Sequence, residues 1–192
     1  MLVPVEHLGE AEEIAAATAN SLRTGDPLAA DTNLGPLANK NQFEKVQNLI
    51  RMGVEEGNKL VAGGPNRPRA LNRGYYVRPT VFTSADNDTT IAREEIFGPV
   101  LCLIPYGSED EAVTIANQTV YGLAAYVASK DQEHARQIAT RLRAGTVHIN
   151  YASGSGSEPF GGYKRSGNGR EQGPFGLAEY LEVKAVIEPV AA

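Results

Sequence analysis

The sequence predicts an α/β fold built from parallel βαβ units with flanking helices. Two observations carry that reading. Between residues 100 and 150, short apolar runs (VLCLI, LAAYVA, TVHIN) alternate with segments whose apolar residues recur every three or four positions. A strand–helix–strand–helix–strand order normally means parallel strands joined by right-handed crossovers. The second observation is bulk: 192 residues, 42% of them hydrophobic, suffice to bury one sizeable core.

The elements follow in order. Residues 10–22, rich in Ala, Glu and Ile, read as a helix stopped by the Thr24-Gly25-Asp26-Pro27 turn cluster, and a loop runs on to about residue 38. From 39 to 56, Phe43, Val46, Leu49, Ile50 and Val54 form the stripe of an amphipathic helix that ends near Gly57. Residues 59–62 form a short strand, GGPNRPRALNRG a surface connection, and YYVRPTVF (75–82) a strand whose Pro79 argues for an edge or an irregular end. The regular part then gives strands at 100–104, 123–128 and 146–150, with helices at about 109–117 and 132–143. Ser108 stands three residues before Glu111, as in a capping box, and Asp131 can cap the second of these helices. Residues 152–176 are dense in glycine and form a long irregular loop leading into a short helix or turn, and loops of that length tend to be functional. The tail alternates Leu181, Val183, Ala185 and Ile187 with polar residues, which reads as a half-exposed strand.

Composition excludes several classes of function. A formal charge of −5 without a Lys/Arg-rich run argues against nucleic acid and anionic membranes as partners. The start, MLVPVEHLGE, lacks the charged leader and apolar core of a signal peptide, and no window is long enough to span a bilayer, so the sequence reads as cytoplasmic. One cysteine allows neither an internal disulfide nor a thiolate metal cluster. His7, His134 and His148 are scattered without ligand spacing, so no metal site is expected.

Chemistry has to come from fewer places. Cys102 lies inside the continuous apolar run VLCLI, where a free cysteine acts as a small buried hydrophobe rather than a nucleophile. Glu94 and Glu95 stand before a sharp Phe97-Gly98-Pro99 turn, where one carboxylate can face a cleft while its neighbour faces water, or both can simply be solvated. GNGRE in the glycine-rich loop is neither a P-loop nor a dinucleotide fingerprint. Phe160 and Phe175 are core plugs or pocket walls, and His148 is the one histidine placed within a strand.

Taken in order, REEIFGPV (93–100), NQTVYGLAAYV (117–127), AGTVHIN (144–150), EPFGGYKRSGNGRE (158–171) and LAEYLEVKAV (177–186) resemble the C-terminal part of the NAD(P)-dependent aldehyde dehydrogenase superfamily. TGDPLAADTNLGPLANKNQFEKV resembles the connection after the family's catalytic cysteine, and GYYVRPTVF a later strand, so the resemblance covers nearly the whole chain. It implies that residues 1–176 are the C-terminal part of the catalytic domain and that 177–192 are an oligomerisation strand and tail, through which a homo-oligomer would form. It implies that Glu95 hydrogen-bonds the nicotinamide ribose, that Phe97 packs against the nicotinamide ring of NAD or NADP, and that Asn150 and Phe160 line the aldehyde tunnel.

The reaction of that family uses a cysteine thiolate to attack the aldehyde, hydride transfer to NAD(P)+, and a glutamate-activated water to release the acid. The Gly-Gln-x-Cys nucleophile, the general-base glutamate, the oxyanion asparagine and the Rossmann-type domain have no counterpart in these 192 residues, and Cys102 matches none of them. The expectation is therefore a chain with no catalytic residue of its own, no turnover alone and no cofactor bound in isolation. The alternative is a stand-alone module that binds a full-length relative without catalysis.

Overall fold

Two compact units make up the chain, Met1–Ala112 and Val113–Ala192. The structure is a computed structural model, and it describes residues 1–83 and 86–189.

The first unit is built on a four-stranded sheet. In chain order its elements are β1 (Leu2–Pro4), α1 (Leu8–Ser21), α2 (Lys40–Glu55), β2 (Lys59–Ala62), β3 (Thr80–Thr83), α3 (Thr90–Arg93) and β4 (Val100–Tyr106). The strands lie in the order β1-β4-β3-β2. β4 runs parallel to both β1 and β3, and β2 is antiparallel to β3. Side chains alternate across a strand, so β4 splits its apolar run between two cores. Leu101 and Leu103 join Val3, Ala19, Ala62 and Val81 beneath α1, while Val100 and Cys102 pack with Val46, Ile50, Val77, Phe82 and Ile91 beneath α2. The continuous apolar run is thus explained by cover on both faces. Phe82, opposite Cys102 in the register, has no solvent exposure and anchors the α2 side.

Helix caps follow the sequence closely. Asn39 accepts from the Gln42 N–H at 2.9 Å and starts α2. Glu111 donates its N–H to Ser108 Oγ at 3.3 Å and accepts from the Gly107 N–H at 2.7 Å, a capping box shifted by one residue. This box opens α4 (Glu109–Gln118). Two local readings shift. The strand expected from residue 75 begins only at Thr80, because Pro79 donates no N–H and its carbonyl lies against Gly63, where a Cβ would come within 2.1 Å. β1 is too short, at three residues, to show periodicity, and it pairs only because β4 offers it an edge.

The second unit holds β5 (Ala124–Val127), α5 (Gln132–Arg141), β6 (Thr146–Ile149) and α6 (Gly173–Ala178). α5 is capped by Asp131, which accepts from the His134 N–H at 3.0 Å. β5 and β6 are parallel, in the register Ala124↔Thr146 to Val127↔Ile149. The βαβαβ order does not make one continuous sheet. Both edges of β4 are already taken by β1 and β3, so it has none left for β5. The tail also differs from expectation: residues 181–189 form no strand within this chain, and Val183 and Ile187 are 99% and 92% exposed. A strand needs a partner for its backbone groups, and among the described residues none pairs with it. Residues 190–192, the end of the expected strand, lie outside the described residues. Among the described residues no helix is long and apolar enough to cross a membrane.

Candidate cofactor-facing site

The first candidate residues lie on the turn between α3 and β4. Backbone at this turn is held by α2. Gln42 Nε2 donates to the carbonyls of Ile96 and Phe97 at 3.0 and 2.8 Å, and Lys45 Nζ donates to the carbonyl of Glu95 at 2.6 Å. Gly98 lies so close to α2 that a Cβ there would come within 2.8 Å of Val46 Cγ2. Pinned in this way, Phe97 takes φ +57°, a left-handed conformation disfavoured for a bulky residue, and the residue is 72% exposed. The Glu95 side chain is exposed beside it, and its carboxylate is left out of the lysine contact, which goes to the main chain. Strain of this kind persists only where surrounding structure over-determines it, and here three side-chain hydrogen bonds do so.

Gln42 and Lys45 were not singled out in the sequence. Their signal is present in retrospect: three residues apart and just after the Asn39 cap, they share one face of α2. What one sequence lacks is the partner, 50 to 55 residues downstream.

Asn150 and Phe160 lie in the second unit. Asn150 follows β6 with φ +49°, and Tyr151 follows it with φ +59°. The Asn150 amide is used twice against the end of β5. Its Oδ1 accepts from the Ser129 N–H at 2.9 Å and its Nδ2 donates to the Ser129 carbonyl at 2.8 Å. This side chain therefore positions the loop after β6. Phe160 is 47% exposed and exchanges two backbone hydrogen bonds with Glu171, at 2.8 and 2.7 Å, which close the glycine-rich loop. The next residue, Gly161, packs its carbonyl on Gly145 at the start of β6, where a Cβ would come within 1.7 Å. Phe160 and Asn150 thus belong to opposite ends of β6.

Other polar groups stiffen the same loop. Lys164 donates to the carbonyls of Asn117 and Thr119 at 2.8 and 2.9 Å, and Arg170 donates to that of Gly162 at 2.9 Å. Glu158 is exposed, yet its carboxyl is held below the ordinary carboxylate value, first by its own backbone N–H and then by the Ser155 hydroxyl, with the Ser155 and Gly156 N–H groups adding to this. His148 stacks on Tyr126 with ring centroids 4.9 Å apart, and its Nδ1 lies 2.7 Å from the Ala152 carbonyl. A carbonyl only accepts, so Nδ1 carries the proton. Cys102 packs with the α2-side core.

The family model for the aldehyde dehydrogenase family matches residues 1–186. The chain belongs to the aldehyde dehydrogenase family. It is 53% identical over 187 residues to a 3-succinoylsemialdehyde-pyridine dehydrogenase from a Pseudomonas species, covering 97% of this chain and 39% of that one. Among solved structures it resembles a variant of aldehyde dehydrogenase C from Pseudomonas syringae, in complex with NAD+ and octanal. The TM-score is 0.96 and the identity 55%, over 100% of this chain and 40% of that one. It also resembles a Mycobacterium tuberculosis aldehyde dehydrogenase complexed with NAD+, with TM-score 0.93 and identity 41%, over 100% of this chain and 39% of that one. The chain therefore spans about two fifths of the length of these aldehyde dehydrogenases.

Proposed function

We propose that this chain supplies the nicotinamide-facing and tunnel-facing walls of an aldehyde dehydrogenase that oxidises an aldehyde to a carboxylic acid. NAD(P)+, when bound, supplies the hydride acceptor. The observation that carries the reading is the Glu95–Phe97 turn, whose exposed carboxylate and exposed ring are presented by a left-handed backbone that Gln42 and Lys45 lock in place. The residues fit the cofactor chemically. A carboxylate accepts two hydrogen bonds from a ribose diol, and an aromatic face orients a flat ring. Glu95 and Phe97 would hold the nicotinamide half, while Phe160 and the loop positioned by Asn150 would shape the aldehyde's approach. The nucleophilic cysteine and the general base would lie outside these residues, so the isolated chain has no turnover and holds no cofactor. In the same reading residues 1–176 form the C-terminal part of the catalytic domain. The exposed apolar face of residues 181–187 would pair with a second copy, giving the homo-oligomer.

Activity tests this directly. The chain alone should yield no aldehyde-dependent NAD(P)H. Refolded with the N-terminal part of the enzyme it should recover turnover, and Glu95→Gln in that reconstitution should lower kcat more than it weakens cofactor binding, because orientation appears in the rate. An unchanged rate removes Glu95 from the site, and turnover by the unmixed chain overturns the reading.

A further inference from the structure

Between α2 and the connection from β2 to β3 lies an open polar cavity of about 450 Å³. Phe43, Glu44, Gln47 and Arg51 of α2 form one side, and Arg67 and Arg69 are on the other. Its charge is one-sided: three guanidinium groups stand against one carboxylate, and Glu44 already faces Lys40 at 3.6 Å. The Arg67 guanidinium is pre-placed, with its carbon 4.4 Å from the centre of the Phe43 ring and its Nε donating to the Gly74 carbonyl at 2.8 Å. Among the described residues its terminal nitrogens meet no acceptor.

The second observation is independent of charge. Gln47 is 4% exposed and lines the cavity, and among the described residues its Nε2 is the one buried side-chain polar atom without a hydrogen-bond partner. The amide cannot be turned over to cure this. Oε1 accepts from the Asn66 N–H at 2.7 Å, and a flip would set two donors against each other. A buried amide donor without an acceptor is costly and rare in native proteins, so Gln47 calls for an acceptor, and the three arginines beside it favour one that carries negative charge. The cavity is far larger than a bare oxyanion and falls in the range of small-molecule sites.

We propose that this cavity binds the phosphate group of a small phosphorylated molecule, with Arg51, Arg67 and Arg69 compensating its charge and Gln47 Nε2 donating to one of its oxygens. Gln47 Nε2 is buried, so the phosphate reaches it with movement of neighbouring side chains at the cavity wall. Arginine suits this task because its planar fork meets phosphate with two parallel donors. The site is independent of the Glu95–Phe97 turn and uses none of its anchoring side chains.

The test is titration of the full chain with inorganic phosphate, ribose 5-phosphate and ribose at constant ionic strength, read by the Gln47 side-chain NH₂ resonances and by calorimetry. The expected result is saturable movement of the Gln47 NH₂ signals with phosphate, tighter binding of ribose 5-phosphate, and none with ribose. The exposed pair Arg51→Gln/Arg69→Gln, which should fold normally, should weaken ribose 5-phosphate at least tenfold. Gln47→Leu should weaken it while leaving the arginines in place. If ribose binds as well as its phosphate, if the double variant binds unchanged, or if the Gln47 signals stay still at saturating phosphate, the proposal is overturned.

Discussion

The turn carrying Glu95 and Phe97 and the loop carrying Phe160 solve the same problem by opposite means. Both are irregular backbone that must hold an exposed aromatic residue still. At residues 95–98 the work is done by long side chains: Gln42 and Lys45 reach across from α2 to three successive carbonyls, and Phe97 accepts a left-handed backbone. At residues 158–171 Lys164 and Arg170 brace the rest of the loop, but Phe160 itself is held by main chain: Gly145 and Gly161 bring two main chains into contact and Phe160 exchanges backbone hydrogen bonds with Glu171. The first device tolerates substitution in proportion to the hydrogen bonds lost. The second is steric and fails abruptly.

That contrast predicts an order of effects. Gly145→Ala should be the most damaging, because a methyl 1.7 Å from the Gly161 carbonyl forces the loop off β6. A loss of about 3 kcal/mol in denaturant unfolding, with faster hydrogen exchange at the Phe160 and Glu171 amides, is expected. A loss below about 1 kcal/mol would show the loop to be compliant and would break the comparison.

Gln42→Ala removes two hydrogen bonds to main-chain carbonyls, and should cost about 2 kcal/mol while raising exchange at residues 96–98. Effects confined to α2 would mean that the turn holds itself.

Phe97→Gly sharpens the comparison in the other direction. It relieves the φ +57° conformation and should stabilise the chain by about 1 kcal/mol, although glycine's greater freedom when unfolded offsets part of this. In the reconstituted enzyme the same change should lower kcat, because the ring that orients the cofactor is gone. Stabilisation with undiminished kcat would show the strain to be unrelated to function.

The smallest expected effect comes from pH. Glu12 accepts from Lys59 Nζ and from the Thr83 hydroxyl, both at 2.6 Å, tying α1 to β2 and β3. These bonds, the lysine first, hold its carboxyl below the ordinary value of 4.5. A carboxyl depressed in the folded state contributes stability that is present above its unfolded value and lost as pH falls through its folded one. The thermal midpoint of the wild type should therefore fall more steeply with acidification below about pH 4.5 than that of Glu12→Gln. Parallel curves would remove Glu12 from the acid response.

Much of this was legible in the sequence, because it rests on neighbours a few residues apart. The Asp131 cap, the Ser108–Glu111 box and the stripe from Phe43 to Ile50 need only residues within a few positions of one another, and the apolar run at 100–104 announced a strand covered on both faces. The resemblance of the EEIFGP and PFGG segments to the family's motifs singled out Glu95, Phe97 and Phe160. Apart from the strand expected from residue 75, which begins at Thr80, helix and strand ends drifted by at most two residues, which is where hydrogen bonding rather than propensity decides.

Other features belong to the tertiary structure alone. Residues 181–187 have the alternation of a strand, but alternation supplies no partner, and this chain offers none among its described residues. Whether β4 pairs with β5 could not be read from βαβαβ order, since it depends on β1 and β3 having occupied both its edges. The anchoring of residues 95–97 by Gln42 and Lys45, and the orphaned amide of Gln47, arise from contacts across 50 to 55 residues in the first case and 19 in the second. A sequence by itself determines what each segment can form with its near neighbours. Only the folded chain decides which distant donor meets which acceptor, because that choice is made by packing and by the few edges left unpaired.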